Sequence, residues 1–230
     1  MPKICVSIAG PTPEKMKDMA LQALTRGADF VEIRFDYLKP DDLHAAISFA
    51  SEFRPRAVYT LRSVSQGGKF VGSEYERLAW LQRLAEQNPM LVDIELETLR
   101  QNDDLADFVE GQKAPVLVSW HDFAKTPSND ELADMLSEMR VYSNFVKVVT
   151  TAKSTADSLR LLELYEHTLG LNAVIFAMGE AGIVSRILCT ILGTAPFTYA
   201  SLDEAVAPGQ LTVREMKSLY DKIEKRQSAG

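Results

Sequence analysis

Apolar and polar positions alternate along this chain in two rhythms. Short apolar or β-branched runs occupy Ile4 to Ile8, Phe30 to Phe35, Ala57 to Leu61, Leu91 to Leu96, Val116 to Trp120, Phe145 to Val149, Ala173 to Ala177 and Phe197 to Tyr199. Their length and composition predict strands. Between them lie Pro13 to Arg26, Asp41 to Phe53, Glu74 to Glu86, Asn129 to Val141, Thr155 to Leu169 and Ser185 to Leu192. These repeat leucine, alanine or methionine at three- and four-residue spacing, as a helix with one buried face requires. Helix starts are marked by Thr12-Pro13-Glu14, Lys39-Pro40-Asp41 and Ser128-Asn129-Asp130-Glu131, each with a capping or first-turn residue ahead of acidic side chains.

Eight strand candidates alternating with helices in 230 residues predict an α/β fold, a single (β/α)8 TIM barrel over 1–230. Right-handed crossovers leave few other arrangements. An open doubly wound sheet is the second candidate, but the first strand-to-helix turn, Ala9-Gly10-Pro11-Thr12-Pro13, lacks the G-x-G-x-x-G pattern of a dinucleotide-binding sheet. No linker or low-complexity tract divides the chain, and only the tail after about Lys225 reads as frayed.

In a barrel, helices cover the outer face, so charged residues within strands belong to the interior or its mouth. Strand two places Glu32, Arg34 and Asp36 on one face. Strand four repeats this with acids, in Asp93-Ile94-Glu95-Leu96-Glu97, suited to balancing cations inside. Strand three ends in Arg62, followed by Ser63-Val64-Ser65-Gln66-Gly67-Gly68-Lys69, a glycine loop able to close over a ligand. Strand five ends in Ser119-Trp120-His121, where the imidazole is either a proton shuttle or an ordinary satisfied histidine. Strand six carries a single lysine, Lys147, among apolar neighbours. Burial there favours the neutral amine that attacks ketones, and the alternative is a lysine paired with an interior acid such as Glu95. After strand seven, a glycine turn leads through Ser185 to Arg186 and could offer backbone N–H groups to an anion; after strand eight, Ala207-Pro208-Gly209-Gln210 forms a turn.

Composition narrows the function. With 32 acidic against 25 basic side chains, the net charge of -7 lacks the footprint of a nucleic-acid or acidic-membrane partner. A small anion stays open if arginines gather in one pocket. No apolar run reaches the roughly 18 residues of a membrane span. The N-terminus runs directly into a strand pattern with no signal-peptide character, so a cytoplasmic enzyme is expected. The cysteines, Cys5 and Cys189, form no disulfide framework, and the histidines, His44, His121 and His167, have no metal-ligand spacing, so no metal is expected.

Taken together, these segments resemble the type I 3-dehydroquinate dehydratases of the shikimate pathway. The resemblance rests on Val-Glu-Ile-Arg-Phe-Asp at 31 to 36, Thr-Leu-Arg-Ser with Gly-Gly at 60 to 68, Asp-Ile-Glu-Leu at 93 to 96 and Ser-Trp-His-Asp-Phe at 119 to 123. It continues through Lys147, Met-Gly with Ser-Arg at 178 to 186, and Ala-Pro-Gly-Gln at 207 to 210. It implies that Lys147 forms an imine with the C3 ketone of 3-dehydroquinate and that His121 moves the proton from C2 to the departing C1 hydroxyl. No metal or organic cofactor is implied. Arg186 and Gln210 would hold the substrate carboxylate, Glu32, Arg34 and Arg62 the hydroxyl side, while Ser7 and Met178 line the pocket. A homodimer is common in the resembled family.

Two departures stand out. Gln66 replaces the glutamate that usually precedes the glycine pair and supports the histidine, and Val206 replaces a serine that would contact the carboxylate. A Schiff-base aldolase or transaldolase acting on a sugar phosphate would also explain Lys147, but gives no particular role to His121 or the Ala-Pro-Gly-Gln turn. A barrel that binds without turnover is the third reading, motivated by Gln66 and Val206.

Overall fold

The computed structural model describes residues 1–111, 115–192, 195–205 and 207–227; Val206 lies outside the described residues. The strands are β1 (Ile4–Ile8), β2 (Phe30–Arg34), β3 (Ala57–Thr60), β4 (Leu91–Glu95), β5 (Val116–His121), β6 (Phe145–Thr151), β7 (Asn172–Met178) and β8 (Thr198–Ala200). They form one parallel sheet in the order β7-β6-β5-β4-β3-β2-β1-β8. The result is a nearly closed (β/α)8 barrel, as the alternation of elements predicts.

The helices are α1 (Pro13–Thr25), α2 (Leu43–Ala50), α3 (Glu74–Glu86), α4 (Leu96–Gln101), α5 (Asp103–Glu110), α6 (Asn129–Tyr142), α7 (Thr155–Glu163), α8 (Ile183–Leu188) and α9 (Val213–Gln227). Their starts follow the expected chemistry. The Thr12 hydroxyl accepts the Lys15 N–H ahead of Pro13, and Ser73, Ser128 and Ser154 form reciprocal capping boxes with Glu76, Glu131 and Asp157. Helices α4, α5 and α9 lie outside the expected set. Leu96 and Glu97, read as strand, instead open α4, because the Thr98 hydroxyl donates back to Glu95 as the chain turns. Asp36 likewise falls in a 3-10 turn after β2, where its carboxylate accepts both Arg34 and the Lys69 N–H.

Alternation along the strands sorts the side chains into two sets. Val6, Ile33, Tyr59, Ile94, Val118, Val148 and Ile175 pack outward under the helices. Cys5, Val58, Leu91, Leu117, Val174 and Tyr199 fill the interior with apolar groups. The next inward positions are polar: Ser7, Glu32, Thr60, Asp93, Ser119 and Lys147 are all buried. An apolar floor beneath a charged layer places the chemistry at the C-terminal ends of the strands.

Candidate active site

Strand β6 delivers Lys147 to the interior, and its amine has two carboxylate neighbours. Nζ lies 2.5 Å from Asp93 Oδ2 and 3.4 Å from Glu32 Oε1. The pairing acid is thus Asp93 rather than Glu95. Glu95 is held by Arg77 at 3.0 Å, by the Ser63 N–H at 2.8 Å and by Arg62 at 3.5 Å. The ring of Tyr199 lies beneath the amine, with Nζ 4.9 Å from its centroid.

The carboxylates are fixed on several sides. Glu32 accepts the Ser7 hydroxyl at 2.8 Å and the Thr60 hydroxyl at 3.0 Å. Burial pushes its pKa up, but Lys147 and Arg34 outweigh that and leave it below the usual value. Asp93 accepts Arg62 at 2.7 Å and Ser119 at 2.6 Å in addition to Lys147. Arg62 also donates to Ser119 at 2.6 Å. Arg34 is bound bidentately by Asp36, at 2.8 and 2.7 Å.

At the end of β5, the His121 ring stacks on Phe123, with centroids 5.9 Å apart and planes 9° apart. Its backbone N–H donates to Gln66 Oε1 at 3.2 Å, so Gln66 holds the main chain of the histidine. Imidazole Nδ1 is buried without a hydrogen-bond partner among the described residues. Burial, and then the cations Arg62 and Lys147, drive the His121 pKa well below the ordinary imidazole value. A neutral ring is the form a general base needs.

Opposite stands Arg186 on α8, which is 1% exposed. Its guanidinium carbon sits 4.1 Å from the Phe176 centroid, and Nε and Nη2 have no partner among the described residues. Burial pushes its pKa down to about 10. Carbonyl-accepted bonds hold the segment around it: Thr198 Oγ1 donates to the Arg186 carbonyl at 2.7 Å, and Ser185 Oγ to the Gly182 carbonyl at the same distance. The loops after β7 and β8 join here through the Gly179 N–H, which donates to the Pro208 carbonyl at 3.1 Å. Gln210 Oε1 accepts the Ala207 N–H at 3.3 Å within the turn.

All ten residues singled out from the sequence (Ser7, Glu32, Arg34, Arg62, Gln66, His121, Lys147, Met178, Arg186 and Gln210) line one cavity. The sequence reading gave no site role to Phe176 or Tyr199, which form its aromatic floor, and Asp93 appeared there only as an interior acid. Among the described residues, no cluster of His, Cys, Asp or Glu could hold a metal ion, and no helix is long and apolar enough to cross a membrane. Chemically, the cavity offers an amine, an imidazole and a guanidinium with two nitrogens unpaired among the described residues, a set suited to a small anionic carbonyl compound.

Residues 4–227 match the family model described as Type I 3-dehydroquinase. A 3-dehydroquinate dehydratase of Dehalococcoides mccartyi is 36% identical over 225 residues, covering 96% of each chain. One from Thermococcus onnurineus is 36% identical over 222 residues, covering 94% of this chain and 98% of the relative. Among solved structures, 3-dehydroquinate dehydratase from Geobacillus kaustophilus superposes with a TM-score of 0.88 at 25% identity, covering 98% of this chain and 92% of that one. The Aquifex aeolicus enzyme gives 0.80 at 26% identity, covering 96% and 98%.

Proposed function

The chain belongs to the type I 3-dehydroquinase family, and from that premise we propose that it converts 3-dehydroquinate to 3-dehydroshikimate and water by syn elimination through an imine on Lys147. This is a hydro-lyase reaction, the third step of the shikimate pathway. The observation that carries the reading is Arg186, a buried guanidinium facing the cavity with two nitrogens unpaired among the described residues. A buried cation in that condition is costly unless an anion joins it, and the substrate carboxylate supplies one.

With the carboxylate on Arg186 and Gln210, the ketone is directed toward Lys147. The Lys147 nitrogen gives up a proton as it adds to C3, and the ketone oxygen leaves as water with two of the three ammonium protons, giving a protonated imine that draws electrons from the adjacent C2–H bond. Neutral His121 takes the C2 proton. The resulting enamine expels the C1 hydroxyl, to which His121 returns the proton, so one water is lost overall. Hydrolysis of the imine then frees the amine. Glu32, Arg34 and Arg62 bind the hydroxyl side, with Ser7 and Met178 completing the wall. The protein would work in the cytoplasm as a single-domain subunit, with a homodimer as its assembly.

Incubation with 3-dehydroquinate, reduction with borohydride and peptide mass mapping test the reading, with an unreduced aliquot assayed for product. A reduced adduct on Lys147 together with dehydroshikimate is expected. Product without an adduct would remove Lys147 as the nucleophile, and the absence of both would remove the activity.

A further inference from the structure

The cavity floor is made of two rings, each beneath a cation. Tyr199 lies under the Lys147 amine at 4.9 Å and Phe176 under the Arg186 guanidinium at 4.1 Å; the ring centroids are 6.0 Å apart, with planes tilted by 54°. Both rings are buried, and Tyr199 meets the ring of Phe197 edge-on at 5.6 Å. We infer that Tyr199 is a positioning residue for the Lys147 imine, its ring face holding the cationic nitrogen once the carbon–nitrogen bond has formed.

The need for such a group follows from counting donors. As an ammonium, Lys147 carries three N–H donors and can serve both Asp93 and Glu32. When the amine condenses with a ketone, oxygen leaves as water and the protonated imine keeps the positive charge with one N–H. One carboxylate hydrogen bond is therefore lost at the step where the charge is still present. Attraction to a ring face needs no N–H and depends only on the cation standing over the ring, so it is kept in the imine for as long as the nitrogen carries its charge. The two-ring floor also fixes how far the imine nitrogen stands from the guanidinium, and thereby how the substrate spans the cavity.

The Tyr199 hydroxyl is buried without a hydrogen-bond partner among the described residues, which leaves the ring as the part in contact with the reacting group. A phenylalanine in its place supplies the same ring.

This inference rests on the imine reading, and the experiment separates the two. Adduct formation is followed by borohydride trapping in the wild type, Tyr199→Leu, Tyr199→Phe and Phe197→Leu. Binding of the analogue in which the C3 ketone is reduced to an alcohol is measured by calorimetry in parallel. Loss of the ring should slow trapping in Tyr199→Leu by about ten- to thirty-fold, the scale of a desolvated cation–π contact. Tyr199→Phe should restore trapping, and Phe197→Leu, which disturbs the same packing without touching the amine, should leave it near the wild-type rate. Affinity for the alcohol analogue should stay within about three-fold in Tyr199→Leu, because no imine forms.

Wild-type trapping in Tyr199→Leu would overturn the inference while leaving the imine intact. So would a Tyr199→Phe variant as slow as Tyr199→Leu, which would give the role to the hydroxyl, or a parallel loss of analogue binding, which would make the ring a packing element only. No adduct in the wild type would instead overturn the imine reading itself.

Discussion

The guanidinium of Arg186 rests 4.1 Å above the centre of the Phe176 ring and has no carboxylate in contact with it among the described residues. Arg62, Arg77 and Lys147 are buried to a similar degree, yet each is ion-paired within the protein. A buried charge left partly unpaired opposes folding, so its presence at the cavity wall is an investment in binding.

Replacing that charge should therefore separate stability from function. Arg186→Met keeps much of the length and removes the buried cation, so the variant should unfold at higher denaturant, with a gain of about 1–3 kcal/mol. The same change should lower kcat/KM by about a hundred-fold or more, chiefly through KM, since the carboxylate loses its charged partner. Denaturation curves and steady-state kinetics on one preparation check both halves. A variant that is both less stable and fully active would contradict the assignment.

His121 gives a pH prediction with a definite sign. Its folded pKa is held well below the ordinary imidazole value by burial and by Arg62 and Lys147. In the window between that folded value and about 6.5, the unfolded chain binds the extra proton, so His121 should make stability fall as pH drops through it, by at most about 1.4 kcal/mol per pH unit. Above about 6.5 it contributes no slope. The acid limb of kcat/KM in the free enzyme should lie correspondingly low. Gln66→Glu brings a carboxylate to the His121 backbone in place of the amide now 3.2 Å away, and should raise the imidazole midpoint. NMR titration of the ring in both proteins decides this; equal midpoints would refute the electrostatic role of position 66.

Asp93 should prove the more costly acid to remove. It accepts Lys147, Arg62 and Ser119 together, and burial, which raises its pKa, is outweighed by the two cations, which hold it below the usual carboxylate range. Asp93→Asn leaves those cations short of an anion and should cost about 3–5 kcal/mol in a urea melt at neutral pH. Because the carboxylate is depressed, its stabilising contribution is complete above about pH 4 and is lost as pH falls further. The wild type should converge on the variant in acid. A constant gap between the two curves down to acid unfolding would count against the ion-pair account.

How much of this was legible follows from what alternation encodes. Period two separates Val6, Ile33 and Val148 from Ser7, Glu32 and Lys147, so the barrel and its charged interior are readable, and a lysine between apolar neighbours is conspicuous. Which acid meets Lys147 is not readable. Backbone register sets Lys147 opposite Ser119 and Ser119 opposite Glu95, yet the amine reaches Asp93 and Glu32. Inward side chains meet across the barrel in layers drawn from alternate strands, and that stagger leaves no local trace. Arg77 is hidden for a related reason: its place four residues before Leu81 puts it on the buried face of α3, but its partners Glu95 and Thr98 are set by the fold alone. The spacing of Val213, Met216 and Tyr220 does carry α9, whose apolar positions are buried among many charged neighbours. The departure at Val206 lies outside the described residues.

Two glycines share a backbone requirement but differ in their surroundings: Gly209 lies in the turn that lines the cavity, and Gly170 lies ahead of β7, at the opposite end of the barrel. Gly209 has φ 72°, and a Cβ there would stand 2.1 Å from the Gly179 carbonyl oxygen; Gly170 has φ 79° and meets nothing within 4 Å. Alanine at either position bears the left-handed backbone penalty, roughly 1 kcal/mol. Only at 209 must the chain also move, and what moves is the contact between the Gly179 N–H and the Pro208 carbonyl that joins the two loops beside Arg186 and Gln210. Gly170→Ala should therefore lower the melting temperature by a few degrees with unchanged kinetics. Gly209→Ala should lower it further and raise KM by about ten-fold or more, since a displacement of even one ångström at a positioned contact weakens binding and orientation. Thermal melts and kinetics on the pair isolate the close approach from the shared backbone term, and equal behaviour of the two variants would show that the packed glycines serve the turn alone.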